Sequence, residues 1–209
     1  MDWAAARTTN GLQGIQGIDA RHLVIMTRRG PPPFQPVLTA TIPAPKDSFP
    51  IDPLIIYDLE GNGLPEIILP AKNLLYRRHG PDRYAPEPLC RYSPGLVQSA
   101  VIADFDGDGF ADLLCAKAQG LLLFKGSPQG TFDQPGQLVW AAQPPLKDVM
   151  AITCGDIDHD GDLDVFLAQY DVPTLGQMLR PHYYDANDGY PAYLLLNDGH
   201  GHFTDATTA

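Results

Sequence analysis

One pattern, written three times, limits what this chain can fold into. Each copy runs from an apolar stretch through an acidic loop into a second apolar stretch. The first copy is Leu54-Ile55-Ile56-Tyr57, then Asp58-Leu59-Glu60-Gly61-Asn62-Gly63-Leu64-Pro65-Glu66, then Ile67-Ile68-Leu69. The second is Ala100-Val101-Ile102-Ala103, then Asp104-Phe105-Asp106-Gly107-Asp108-Gly109-Phe110-Ala111-Asp112, then Leu113-Leu114. The third is Met150-Ala151-Ile152-Thr153, then Asp156-Ile157-Asp158-His159-Asp160-Gly161-Asp162-Leu163-Asp164, then Val165-Phe166-Leu167. The loops begin 46 and 52 residues apart, and a period of that size marks a repeat architecture.

A second shared element follows each loop: an apolar strand, a glycine-containing turn and an aromatic residue. It reads Leu74-Leu75-Tyr76 to Gly80 to Tyr84, then Leu121-Leu122-Leu123-Phe124 to Gly126 to Phe132. The last copy is Tyr193-Leu194-Leu195-Leu196, Asn197-Asp198-Gly199, Phe203. Short apolar runs joined by such turns read as antiparallel strands. Each unit therefore holds about four strands in roughly 50 residues, the size of a propeller blade. The expected fold is all-β, a partial β-propeller of about three and a half blades of four antiparallel strands. Its approximate units are 1–50, 51–97, 98–148 and 149–209 of one domain. The first unit carries a hairpin at Leu23-Val24-Ile25-Met26, Gly30, Phe34 and a strand at Val37-Leu38-Thr39-Ala40-Thr41-Ile42, without an acidic loop. The last holds an insertion near 170–190 with Pro173, Pro181, His182, Tyr183, Tyr184 and Asp185; in repeat proteins such insertions project from one face.

Carboxylates at positions 1, 3, 5 and 9 of a tight loop repel one another unless a cation lies among them. A turn at Gly63, Gly109 or Gly161 can aim those oxygens inward, and the position-7 carbonyl adds a ligand. Oxygen donors at this density suit calcium, which takes six to eight of them. Two strong sites are expected: Asp104, Asp106, Asp108, Phe110 and Asp112; and Asp156, Asp158, Asp160, Asp162 and Asp164. A weaker third is expected from Asp58, Glu60, Asn62, Leu64 and Glu66, where Glu and Asn alter reach and charge. The pattern is not an EF-hand. That loop needs a bidentate Glu at position 12 between helices, and here position 12 is Leu69, Cys115 or Leu167 in an apolar run.

Charge arithmetic agrees. The chain has 25 acidic and 14 basic residues, a net charge of -11. The three loops hold 12 of the acids, leaving 13 against the 14 basic residues, so the acidity is a property of the loops. An acidic chain is a poor partner for nucleic acid or an anionic membrane, and no apolar stretch approaches a membrane span. Gly 20 and Pro 21 among 209 residues disfavour a helical bundle.

The D-x-D-G-D-G-x-x-D loops between apolar strands resemble the FG-GAP (VCBS-type) repeats of integrin α-subunit β-propellers and their bacterial relatives. The third unit is similar to the cartilage-acidic-protein type in particular, with Gly155-Asp156-Ile157-Asp158 opening its loop and Leu196-Asn197-Asp198-Gly199-His200-Gly201-His202-Phe203-Thr204-Asp205 closing it. The resemblance implies calcium at blade loops, about seven blades in a full ring and a location outside the cytoplasm: extracellular, periplasmic or on the cell surface. With about three and a half units the chain is expected to be one part of a larger ring, and Met1-Asp2-Trp3-Ala4 does not open a signal peptide.

Other chemistry is sparse. No G-x-S-x-G elbow or phosphate-binding glycine loop is present. Cys90, Cys115 and Cys154 form no C-x-x-C pair and read as small buried hydrophobes. His200-Gly201-His202 reads as a hairpin turn, and His182-Tyr183-Tyr184-Asp185 either as a recognition surface or as an insert packed on its own blade. The expected function is a non-enzymatic module with structural calcium and a protein or glycan partner. The alternative is a secreted carbohydrate-active or lyase-type enzyme using the 170–190 insert.

Overall fold

The computed structural model describes residues 2–7, 13–17, scattered positions between 21 and 34, and the stretches 36–42, 52–170 and 190–207. Two compact units divide the chain, Met1–Pro36 and Val37–Ala209. In the first, β1 (Asp2–Arg7) pairs antiparallel with β2 (Gln13–Gly17), Asp2 opposite Gly17 and Trp3 opposite Ile15.

The second unit holds three four-stranded antiparallel sheets, each a simple meander in chain order. Sheet one is β3 (Ile55–Tyr57), β4 (Glu66–Leu69), β5 (Leu74–Arg78) and β6 (Tyr84–Pro88). Sheet two is β7 (Ser99–Ala103), β8 (Asp112–Lys117), β9 (Gly120–Phe124) and β10 (Gln137–Ala141). Sheet three is β11 (Val149–Gly155), β12 (Asp164–Gln169), β13 (Tyr193–Asn197) and β14 (Phe203–Asp205). The architecture is all-β, a partial propeller whose blades are these sheets. Among the described residues no helix is long and apolar enough to cross a membrane.

The core lies between blades. One cluster joins Ile68 and Leu75 of the first sheet to Leu113, Cys115 and Phe124 of the second. The other joins Leu114, Ala116, Leu121 and Leu123 of the second to Val165, Leu167 and Leu195 of the third. The middle sheet is thus covered on both faces, which explains why β8 reads as the unbroken apolar run Leu113-Leu114-Cys115-Ala116 rather than an alternation. The cysteines are free; Cys90 and Cys115 are buried, and burial pushes the Cys90 thiol up to about 12.

Two expected strands fall elsewhere. Residues 37–42 form no strand and stay largely exposed. In the second blade the fourth strand begins at Gln137, not at the aromatic Phe132 after the turn. Phe132 instead makes a parallel bridge with Cys90, and the Arg91 N–H donates to its carbonyl at 3.0 Å. The chain then passes Pro135, which has no N–H for a ladder, and Gly136, where a methyl group would meet the Phe124 ring at 2.5 Å. The insertion expected near 170–190 lies, at 171–189, outside the described residues.

In a meander, the loop from first to second strand and the turn from third to fourth lie at one end of the sheet. The acidic loops therefore share an end with the turns at Gly130-Thr131-Phe132 and Gly201-His202-Phe203. Each of these turns packs on the acidic loop of the preceding blade. A methyl group at Gly130 would lie 2.8 Å from Leu59 Cβ, and one at Gly201 would lie 3.6 Å from Asp106 Cβ. Phe203 packs edge-on against Phe105, with ring centroids 5.9 Å apart.

Phe203→Ala is expected to lower stability by about 3–5 kcal/mol, because it opens a cavity in this junction. Leu138→Ala, on an exposed strand position, should stay within about 0.5 kcal/mol. Urea midpoints of the two variants check the contrast, and equal losses would mean that the junction does not hold the blades together.

Candidate functional site

The three loops share one backbone scheme. At position 1, Asp58 accepts from the Asn62 and Gly63 N–H groups at 3.0 and 2.7 Å, and Asp104 from those of Gly107 and Gly109 at 2.9 Å each. Asp156 accepts from the Asp160 N–H at 3.1 Å. At position 5, Asn62, Asp108 and Asp160 accept from the N–H two residues on, at Leu64, Phe110 and Asp162. These are local carboxylate and amide turns, and they require a left-handed residue at position 6. Glycine supplies it, with φ of 79° at Gly63, 87° at Gly109 and 98° at Gly161.

Position 9 has a different task. Glu66, Asp112 and Asp164 open the second strand of each blade and are fully buried. Each accepts the N–H of position 2: Glu66 from Leu59 at 2.9 Å, Asp112 from Phe105 at 3.0 Å, Asp164 from Ile157 at 2.8 Å. The other oxygen of Asp112 accepts from Gly126 N–H at 2.7 Å, and that of Asp164 from Asn197 N–H at 2.9 Å. Asn197 then donates its amide to the Phe105 carbonyl at 2.8 Å, tying the third blade to the second loop. Burial raises the Glu66 pKa against the opposing pull of the Leu59 N–H and Arg77, and it pushes Asp112 up to about 6.

The structure brings together some of the expected ligands. Carboxylate oxygens of Asp104, Asp106 and Asp108 lie within 4.8 Å of one another, as do those of Asp156, Asp158 and Asp164. Asp112, Asp160 and Asp162 stand outside these two groups, although Asp160 is exposed and Asp162 half-buried in the same loop. Asp58, Glu60 and Glu66 form no such group. Phe110 and Leu64 hold position 7, their N–H groups fixed as described. The donor set fits a hard divalent cation, and the crowding has an electrostatic signature. The Asp158 pKa is raised by desolvation and by the charges of Asp160 and Asp164. In the first loop Glu66 Oε1 is buried without a hydrogen-bond partner.

Sequence reading missed the cations placed on two of the loops. Arg77 donates to Glu60 at 2.6 Å, to Glu87 at 2.6 Å and to the Gly130 carbonyl at 3.1 Å. Lys125 donates to Asp106 at 2.5 Å. Strand register makes the two equivalent: Ile67 pairs with Tyr76, and Leu113 with Phe124, one residue before each cation. In the third blade Val165 pairs with Leu195, so Leu196 holds this place. Leu196 thus gives the third loop no cation at this register position. Glu60 also accepts from the Asn62 amide at 2.7 Å, so the first loop is closed largely by its own groups. His200 and His202 sit in the β13–β14 turn, where their N–H groups cap Asp198.

At the opposite end of the third blade, a cavity of about 180 Å³ is lined by Pro144, Pro145, Lys147, Gln169, Tyr190 and Pro191. Lys147 lies 5.0 Å above the Tyr190 ring. Gln169 braces the cavity by accepting from Lys147 N–H at 2.6 Å and donating to the Pro191 carbonyl at 2.7 Å.

The geometry defines a propeller-type repeat protein with acidic loops at one end of its blades. Residues 104–167, from the second loop through the third, match the FG-GAP-like repeat family. No curated protein matches the chain in sequence. Among solved structures, a lectin from Agrocybe aegerita, described for its specific recognition of non-reducing terminal N-acetylglucosamine, is similar with a TM-score of 0.51 at 21% identity. The likeness covers 72% of this chain and 36% of the lectin, so this chain spans about a third of that protein. It establishes a shared fold.

The raised pKa of Asp112 sets a pH dependence. Its ordinary value is 3.8, so the folded state favours the protonated acid. That contribution is complete below about pH 4 and is lost as pH rises through about 6. Chelator-treated protein is expected to lose melting temperature across this window. Asp112→Asn should flatten that slope, while costing about 1–3 kcal/mol because an amide N–H would face a backbone N–H. Thermal melts at several pH values check it; an unchanged slope in the variant would assign the dependence to other groups.

Proposed function

We propose that this chain is a non-enzymatic recognition module, with calcium holding its acidic loops and a protein or glycan as its partner. The observation that carries the reading is the clustering of Asp156, Asp158 and Asp164 within 4.8 Å, in a loop whose equivalent register position holds Leu196 where the other two blades hold Arg77 and Lys125. Bound calcium would supply the positive charge that Arg77 and Lys125 give the other two loops. Asp156 and Asp158 would hold it beside Asp164, the third member of the cluster, which also fixes the loop through the Ile157 and Asn197 N–H groups. The second loop would use Asp104, Asp106 and Asp108 after Lys125 swings away from Asp106. The first would bind most weakly, because Arg77 is itself buried and holds Glu60. Loops of this charge fit a compartment with abundant calcium, which favours a location outside the cytoplasm.

Recognition is assigned to the other end. The first two acidic loops are covered by the turns of the next blade, whereas Tyr190, Lys147 and three prolines line an open cavity. Proline and tyrosine faces suit the apolar face of a sugar ring or an aromatic side chain. The lectin of the same fold recognises terminal N-acetylglucosamine, which makes glycans the first ligand class to screen.

Calorimetric titration of chelator-treated protein is expected to give two calcium sites and a rise in melting temperature. Asp158→Ala should abolish one site. Lys125→Met should tighten the other on the order of tenfold, because a competing charge is removed from Asp106. No calcium uptake by the wild-type protein would overturn the metal reading. On a glycan array with calcium-loaded protein, Tyr190→Ala should lose binding that Asp82→Ala keeps; equal binding by both variants would move recognition away from this cavity.

A further inference from the structure

The turn at residues 197–202 lies against two acidic loops at once. Toward its own blade, the Asn197 N–H donates to Asp164 at 2.9 Å. Gly199 sits so close to Asp162 that a methyl group there would be 2.4 Å from Oδ2. Toward the second blade, the Asn197 side-chain amide donates to the Phe105 carbonyl at 2.8 Å. On that side a methyl group at Gly107 would lie 3.2 Å from the Gly199 carbonyl oxygen, and one at Gly201 would lie 3.6 Å from Asp106 Cβ. The turn is braced internally. Asp198 accepts from the His200 and His202 N–H groups at 2.9 and 3.2 Å, and its own N–H donates to the His202 carbonyl at 3.1 Å. A shift of either loop therefore reaches the other through a few braced residues.

The repeat itself separates the two tasks of Asn197. Gly126 stands two residues after Phe124, the partner of Leu113, as Asn197 stands two after Leu195, the partner of Val165. The Gly126 N–H ties its blade through Asp112 at 2.7 Å, as the Asn197 N–H does through Asp164. Tying the strands thus needs a backbone N–H and no side chain. The third blade nevertheless places an asparagine there that is 6% exposed and whose Oδ1 has no hydrogen-bond partner. A buried oxygen left unpaired is unfavourable. What the side chain adds against that cost is its bond to the second loop. With glycine at the equivalent place, the first and second loops lack this link.

We propose that the second and third loops bind calcium as a coupled pair, with Asn197 as the positioning residue between them, so that filling either loop tightens the other. The inference rests on the calcium reading of these loops. With the third loop filled, Asp164 is fixed, and so are Asn197 bonded to it and the Phe105 carbonyl beyond. Part of the ordering that the second loop needs is then complete, and an ordering cost shared by two sites gives positive cooperativity. By thermodynamic linkage the second loop acts on the third by the same factor. Repulsion between two bound cations acts in the opposite direction, but it runs between solvent-exposed loops, where salt screens it. The contacts through Asn197 are local and keep their sign at high salt.

Calorimetric calcium titration of the chelator-treated chain at physiological salt tests this. Asp158→Ala leaves the second loop alone to bind and Asp106→Ala the third, so these variants give the two single-site affinities. The product of the two wild-type affinities is expected to exceed the product of the single-site values by about fivefold or more, the low end of couplings between sites. The same comparison in the Asn197→Ala background should fall to parity, with both sites still present. The charge removed at each loop is common to both backgrounds, so the difference between them isolates the Asn197 side chain. Circular dichroism confirms that the variant is folded; where it is not, Asn197→Gly, which copies Gly126, replaces it. A lowered melting temperature in the Asn197 variant with the ratio unchanged would make the residue structural only and overturn the proposal. Two independent sites in the wild type would overturn the coupling and leave the calcium reading standing. No calcium uptake by the wild type would overturn that reading and the coupling with it.

Discussion

The structure depends on a buried carboxylate that caps its own loop. Glu66, Asp112 and Asp164 each reach back seven residues to the position-2 N–H, and this bond sets where the first strand ends and the second begins. A buried charge survives only if donors surround it, and the fold supplies them from two directions. One comes from the loop, and in the second and third blades one comes from the end of the third strand, at Gly126 or Asn197. Three strands of a blade are thereby tied at one point. The side chain of position 2 is turned outward by the same bond, into the space where the next blade arrives. Loop closure and blade stacking are therefore one event.

That arrangement divides the acids by task. Positions 1 and 5 satisfy the backbone of the turn, position 9 holds the strands, and position 3 is left with excess charge. The chain answers that excess differently in each blade. Arg77 neutralises Glu60, which also accepts from the Asn62 amide; Lys125, on a more exposed stem, neutralises Asp106; at Asp158 the equivalent place is held by apolar Leu196. The three loops form a series of increasing demand for an external cation, set by one register position on the neighbouring strand.

Much of this was legible in the sequence because its causes are local. Asp-x-Asp-Gly turns, apolar runs of strand length and the roughly fifty-residue period all act within one blade. The strand at Gln137–Ala141 was not legible, because Phe132 is drawn to Cys90 of the preceding blade, an attraction only the fold creates. Residues 37–42 have strand-like composition but no partner in a sheet, and composition alone does not supply one. The position-9 acids read from spacing as metal ligands; that they are also buried and cap their own loops is not visible in spacing, because burial is set by the strands around them. Arg77 and Lys125 were missed because their distance from the loop varies with hairpin length; counting back from strand pairing, rather than along the chain, would have found them.

The two ends of the blades follow different physics, and this governs where binding can evolve. At the loop end, positions 1, 5 and 9 are committed to the turn or the strands and position 2 of the first two loops to the next blade, so a substitution there disturbs the blade before it alters a ligand. At the other end, the described ends of the β12–β13 connection meet at Gln169 and Pro191. Gln169 there accepts from the Lys147 N–H and donates to the Pro191 carbonyl, and the Lys147 side chain lies over the Tyr190 ring. A repeat that concentrates its charge and its packing at one rim leaves the opposite rim open to variation in length and chemistry. The large separation between Gln169 and Tyr193 in the third blade, against the two residues between Lys117 and Gly120 in the second, is where that freedom has been used.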